Sequence, residues 1–211
     1  MHWQDISVPI GNRTITYDGD PPVRFERVAA IADGAVANVS RLDFGVHSGT
    51  HVDAPVHFID GSAGIEALPL DVLVGPAWVA DATAVDGQFD RAAIDWLAIP
   101  AGTERLLIRS RNSRLWDRPT FDRSFAGLTD DGAHALIERG VRLVGADYLS
   151  IAPFEDPTPT HVTLLTAGVV IVESLDLREI EPGAHDLICL PLLIPGSDGG
   201  PARAIVRRRP A

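Results

Sequence analysis

The chain has 211 residues, 45% of them hydrophobic, and a formal net charge of −11 from 18 basic and 29 acidic side chains. Such a chain reads as one domain able to bury about 70% of its unfolded surface, and its negative charge repels phosphate backbones and anionic headgroups, so neither nucleic acid nor membrane is an expected partner. A single cysteine, Cys189, excludes an intrachain disulfide and a cysteine-built metal site, and since every basic residue is arginine, Schiff-base and P-loop lysines are excluded as well.

The opening Met1-His2-Trp3-Gln4-Asp5 lacks the basic region and apolar core of a signal peptide. No run of about 18 apolar residues follows. A cytoplasmic protein is therefore expected, with residues 1–211 forming one unit.

The first third looks all-β. Ile6 to Ile10 and Thr14 to Tyr17 flank Gly11-Asn12, a hairpin turn pair. Phe25 to Ile31 and Asn38 to Phe44 read as two further strands. Another covers Leu73 to Ala80, where Gly75-Pro76 predicts an edge or a bulge. The middle turns mixed. Asp90 caps a helix over 91–98 with Ala93, Ile94 and Leu97 on one face. Leu106 to Ile108 is a short buried strand. Thr129 caps a second helix ending near Arg139, with Gly140 just beyond. Val141 to Ala146 is a strand, and Thr160 caps a helix ending before Gly168. Strands follow over Val169 to Val172, Leu187 to Ile194 and Ala204 to Arg207. Helix leading directly into apolar strand, three times over, indicates α/β character in the second half. His134 is expected on an exposed helix face, His185 in a turn, and Arg207-Arg208-Arg209 in a solvated tail. Gly196-Ser197-Asp198-Gly199-Gly200 lacks the strand–loop–helix context of a phosphate cradle.

Three of the seven histidines fall within eleven residues, at His47, His51 and His57, with Asp53 among them. Imidazole and carboxylate without thiolate suit zinc, manganese or iron. The offsets from His47 are 0, 4, 6 and 10, all even, so a straight strand would put all four side chains on one face. Four strand residues span about 13 Å, however, too far for His47 and His51 to share an ion. A helix is disfavoured by Gly49, Thr50, Val52 and Pro55. A bent segment remains, with Gly49 at positive φ folding the chain back and Pro55 ending ladder pairing before His57. The competing reading is a loop whose histidines are exposed or held in a polar network.

The pattern His47-x-Gly49-Thr50-His51-x-Asp53-x-Pro55-x-His57-Phe58 resembles the signature of the "putative cyclase" metal-dependent hydrolases, which include bacterial kynurenine formamidases and isatin hydrolases. Eight specified positions match in twelve. The resemblance runs along most of the chain. Asp5-Ile6-Ser7, Asn38-Val39-Ser40, Arg109 to Ser113 and Gly145 to Ser150 are similar to family segments. Tyr17-Asp18-Gly19-Asp20 resembles the family's aromatic-Pro-Gly-Asp loop, with Asp18 in place of the proline. His161-x-x-Leu164-Leu165-x-x-Gly168, followed by Glu173-x-Leu175, resembles the second half of the metal site. Glu173 interrupts an apolar run and by alternation shares a face with Val169, Ile171 and Leu175. A buried carboxylate there is costly unless paired or metal-bound; without the resemblance it reads equally as a strand-end group in solvent.

The resemblance implies that His47, His51 and Asp53 hold one metal, and that Asp53 bridges to a second held by His161 and Glu173. His57 is implied as general acid/base. Tyr17 is implied as a pocket aromatic, though an ordinary loop aromatic fits as well. One or two Zn2+ per chain are implied, with Mn2+ an alternative. The implied fold is α/β, a mainly antiparallel β-barrel-like sheet with flanking helices, the swivelling β/β/α fold of that family. The implied activity is hydrolysis of amide-type C–N bonds in a small aryl substrate by a homodimer or larger oligomer. The alternatives are a cyclic-amide hydrolase, an enzyme of specialised metabolism, and a non-catalytic metal- or ligand-binding protein.

Overall fold

The computed structural model describes residues 2–210. Among the described residues ten strands form: β1 (Gln4–Asp5), β2 (Arg24–Ala29), β3 (Val39–Asp43), β4 (His51–Asp53), β5 (Val74–Ala82), β6 (Arg105–Ser110), β7 (Leu143–Ala146), β8 (Val170–Glu173), β9 (Gly183–Pro191) and β10 (Gly199–Arg208). Four helices accompany them: α1 (Leu70–Leu73), α2 (Arg91–Trp96), α3 (Asp130–Glu138) and α4 (Thr158–Thr166).

The main sheet has the order β1-β10-β4-β8-β7-β6-β5-β9, and β9 also pairs with β10. Seven strands thus close into a barrel, with β1 attached to the free stretch of β10. The joins β5–β6, β6–β7 and β7–β8 are parallel; the other joins in the ring are antiparallel. Helices α3 and α4 connect parallel neighbours, because a parallel pair needs a crossover.

Period-2 alternation divides the strands between two cores. Val52, Val79, Leu107, Leu143, Val172, Leu187, Cys189 and Val206 fill the barrel interior. Ala80, Leu106, Ile108, Val144 and Ile171 face outward and pack beneath the helices, against Ile94, Leu136 and Leu164. The helix caps act as predicted. Asp90 accepts from the Ala93 amide at 2.8 Å, and Thr129 accepts from Gly132 at 3.2 Å. Each such cap contributes about 1 kcal/mol.

Several local expectations are corrected. Gly11-Asn12 does turn, but its flanks form no hairpin. The Ile6 amide donates to Ala204, the Ser7 hydroxyl to the same carbonyl, and the Val8 amide to Thr50 Oγ1, so this segment is stitched to other elements. No bulge occurs at Gly75-Pro76. There β5 pairs only with β9, and pairing with β6 starts at Trp78, so the missing proline donor falls on a locally free edge. Thr160 is not a cap: Pro157 precedes α4, and the Thr160 hydroxyl donates to the Leu128 carbonyl at 2.8 Å. His185 lies buried in β9. Arg207 and Arg208 belong to β10, where Arg207 pairs with Asp186 at 2.8 Å and covers the Trp3 ring. Leu175 leaves the face of Glu173 for the barrel interior, because Ser174 at φ 57 breaks the alternation.

Strands β2 and β3 pair with each other as a separate ribbon. Phe25, Val28, Val39 and Leu42 on it are exposed, as is Ile31 just beyond.

Candidate metal centre

The residues from 45 to 50 turn sharply, as the bent-segment reading predicts. Gly49 has φ +63, and a Cβ there would stand 2.7 Å from the Ile10 side chain. The chain then enters β4, where His51 and Asp53 sit two apart on its outward face. Ala54 is extended, and Pro55–His57 form a 3₁₀ turn. In the antiparallel register His51 lies opposite Glu173 on β8. His161 descends from α4 onto the same spot. The centre therefore lies outside the barrel wall, between sheet and helix. His51, Asp53, His161 and Glu173 are all buried.

Three histidines share one arrangement. His51 donates Nδ1–H to the Gly49 carbonyl at 2.8 Å, and its Nε2 faces Asp53 and Glu173, each at 3.4 Å. His161 donates Nδ1–H to the Pro157 carbonyl at 2.7 Å, and its Nε2 faces Glu173 at 3.2 Å and Asp53 at 3.7 Å. His47 turns Nδ1 to Asp53 at 3.0 Å and Nε2 to Asp198 at 2.9 Å. Each ring thus has one nitrogen anchored outside and the other aimed at the Asp53–Glu173 carboxylates.

A bare imidazole nitrogen and a carboxylate are both acceptors, so they need a proton or a metal cation between them. Burial works against charge on His51, yet Asp53 and Glu173 outweigh it and push its pKa up to about 10. Burial likewise opposes the charged forms of His47 and His161, but Asp53 and Asp198 raise His47, and Glu173 and Asp53 raise His161. Burial would raise Asp53, but His47 and His51 hold it well below the usual carboxylate range. Among the described residues, the buried side-chain polar atoms without a hydrogen bond are Ser48 Oγ, His51 Nε2 and Asp53 Oδ2. An unsatisfied buried group costs about 1–3 kcal/mol. Two such atoms at one carboxylate cluster fit a divalent cation. Donor atoms of His51, Asp53 and Glu173 lie within 4.8 Å of one another, and so do those of His47, Asp53 and His57. Asp53 is common to both groups.

His57 differs. Its ring stacks on His47 at 3.9 Å, and its Nδ1 is 3.8 Å from Asp198, beyond hydrogen-bond length. Burial lowers its pKa, so it is neutral near pH 7 and able to take a proton. It borders a cavity of about 170 Å³ that Tyr17, Phe58, Leu149, Ser150 and Pro157 also line. Phe58 stacks on His161 at 4.1 Å, and Tyr17 packs on Phe121 and Phe154. Asp18 forms an exposed ion pair with Arg123, while Gly19 at φ 96 keeps the Tyr17–Asp20 turn. A larger cavity of about 480 Å³ lies elsewhere, beside Trp116, and its Arg118 and Arg178 are already paired with carboxylates.

Every site residue named from the sequence thus meets at this place. Asp198 and Asp20 were missed. Asp20 borders the same cavity. The signal for Asp198 was the glycine pair after it: a Cβ on Gly199 would stand 2.7 Å from the His47 ring.

A family profile described as "Putative cyclase" matches residues 4–153. A protein named "Cyclase-like protein 1" from Arabidopsis thaliana is 43% identical over 191 residues, covering 86% of this chain and 74% of its own. A "Kynurenine formamidase" from Bacillus cereus is 33% identical over 206 residues, covering 97% of each. A solved structure described as a potential metal-dependent hydrolase with cyclase activity superposes with a TM-score of 0.84 at 34% identity, covering 99% of each chain.

Proposed function

This chain belongs to the "Putative cyclase" family, and on that premise we propose that it is a metal-dependent hydrolase of amide-type C–N bonds in a small aryl substrate. N-formylkynurenine leads as substrate, because the similarity to a kynurenine formamidase runs nearly end to end. The observation that carries the reading is the set of three anchored histidines, each turning a nitrogen to the Asp53–Glu173 carboxylates, with His51 Nε2 and Asp53 Oδ2 unsatisfied.

His47, His51 and Asp53 are assigned to one ion, and Asp53, His161 and Glu173 to a second. Imidazole and carboxylate donors without thiolate favour Zn2+, and Mn2+ suits the same set. Such ions supply Lewis-acid polarisation of a carbonyl and a lowered pKa for the attacking water. His57, neutral and free of anchoring bonds, takes the water proton and returns it to the leaving amine nitrogen. Tyr17, Phe58, Leu149 and Pro157 offer flat apolar walls for an aryl ring.

A second reading keeps the centre and changes the substrate to a cyclic amide or an intermediate of specialised metabolism. The Asp18 departure from the family's aromatic-Pro-Gly-Asp loop favours it. The protein is further proposed to be cytoplasmic and homodimeric. Among the described residues no helix is long and apolar enough to cross a membrane, and the exposed apolar side chains of the β2–β3 ribbon suit a second copy. Chromatographic turnover of N-formylkynurenine and isatin by zinc-loaded protein tests the substrate. Turnover of neither, with metal bound, would move the assignment to specialised metabolism.

A further inference from the structure

Asp198 sits at the mouth of the centre with its side chain half-exposed, on the segment leading into β10. Its Oδ2 is 2.9 Å from His47 Nε2 and 3.8 Å from His57 Nδ1. We infer that Asp198 is a positioning residue of this metal centre, fixing the ring of His47 by accepting its Nε2–H and, through the His47–His57 stack, fixing His57. The inference rests on the hydrolase reading above.

Three observations support it. First, His51 and His161 anchor their outer N–H on backbone carbonyls, whereas His47 has only the Asp198 side chain in that place. Outer acceptors of this kind set the tautomer and orientation of a ligating imidazole. Second, the base that carries Asp198 is immobilised on several sides. The Ala54 amide donates to the Asp198 carbonyl at 2.9 Å, and the Ile65 amide donates to Ser197 at 3.0 Å. The Gly196 amide donates to Glu66 at 2.8 Å, and Ser197 Oγ donates to the Gly199 carbonyl at 2.7 Å. A carboxylate on so fixed a base presents a defined acceptor without further ordering. Third, the His47 and His57 planes lie 25° apart at 3.9 Å, so rotation of one ring carries it into the other.

The test compares Asp198→Ala with Asp198→Asn, whose amide oxygen can still accept Nε2–H. Zn2+ affinity is measured by competition with a chelator, and kcat and KM on the wild-type substrate. Asp198→Ala should lose about 10–100-fold in Zn2+ affinity and lower kcat with little change in KM. Asp198→Asn should recover most of both. Wild-type affinity and kcat in Asp198→Ala would overturn the inference while leaving the hydrolase reading intact. An Asn variant no better than Ala would overturn it as well, since charge rather than orientation would then be at work. A wild-type chain that fails to bind Zn2+ would overturn the metal reading and this assignment together.

Discussion

Replacing Gly199 by alanine probes how tightly the centre is built. Gly199 pairs with Asp53 across β10 and β4, and the His47 ring lies against its backbone. A Cβ there would stand 2.7 Å from His47 Cε1, 3.1 Å from Nε2 and 3.2 Å from Nδ1. Carbon atoms settle at about 3.5–4.0 Å, so the ring or the strand must retreat by about 0.8 Å or more. His47 cannot retreat freely, being held by Asp53 at 3.0 Å and Asp198 at 2.9 Å and stacked on His57. The same displacement along either bond would carry it to about 3.7–3.8 Å, beyond hydrogen-bond length. Misplacement of about 1 Å in a catalytic constellation can cost about 100-fold. Gly199→Ala should therefore lower kcat/KM by about 100-fold and weaken Zn2+ binding by about 10-fold or more. Gly199 is not among the positive-φ glycines, so backbone strain adds nothing. Overpacking alone costs about 1–3 kcal/mol, which a marginal drop in thermal midpoint would register. Calorimetric Zn2+ titration and steady-state kinetics are the assays. A variant that binds Zn2+ and turns over substrate like the wild type would refute the claim that His47 is pinned.

Further outcomes are expected. His57→Ala should lower kcat by about 10²–10⁴ with metal content nearly intact, whereas His51→Ala should lose metal and activity together; loss of metal from His57→Ala would make it a ligand, as its approach to His47 and Asp53 permits. Elemental analysis of Asp53→Ala should show both ions gone, and full occupancy would disprove the bridge. Burial pushes the Cys189 thiol up to about 12, so it stays neutral and should resist a thiol reagent in the native protein at about pH 8, reacting only on unfolding. Because the folded value lies above the unfolded one, near 8.5, this group's contribution to stability is complete below about pH 8.5 and is lost as pH rises toward 12. Denaturant midpoints across that window check the sign.

The ligand cluster was legible because its chemistry is local. His47 to Phe58 places three imidazoles and a carboxylate within twelve residues, and Gly49 and Pro55 dictate the bend between them. The caps at Asp90 and Thr129 and most strands were legible for the same reason, since capping and alternation depend on neighbours in the chain. What lay hidden depends on contacts between distant segments. Closure of the barrel through β9 and β10 cannot be read from either strand alone. Nor can the outward face of β4 be told from the inward one until β8 pairs with it and sets Glu173 opposite His51. The 6–17 segment read as a hairpin because its turn is local, but its amides found acceptors in Thr50 and Ala204 instead. Asp198 is the clearest case. Its role comes from being delivered, across 151 positions of sequence, to a nitrogen 2.9 Å away. Side-chain type and spacing specify what a residue can bind; only the packed fold decides what stands within reach of it, because a hydrogen bond acts over ångströms and the chain between can take any path.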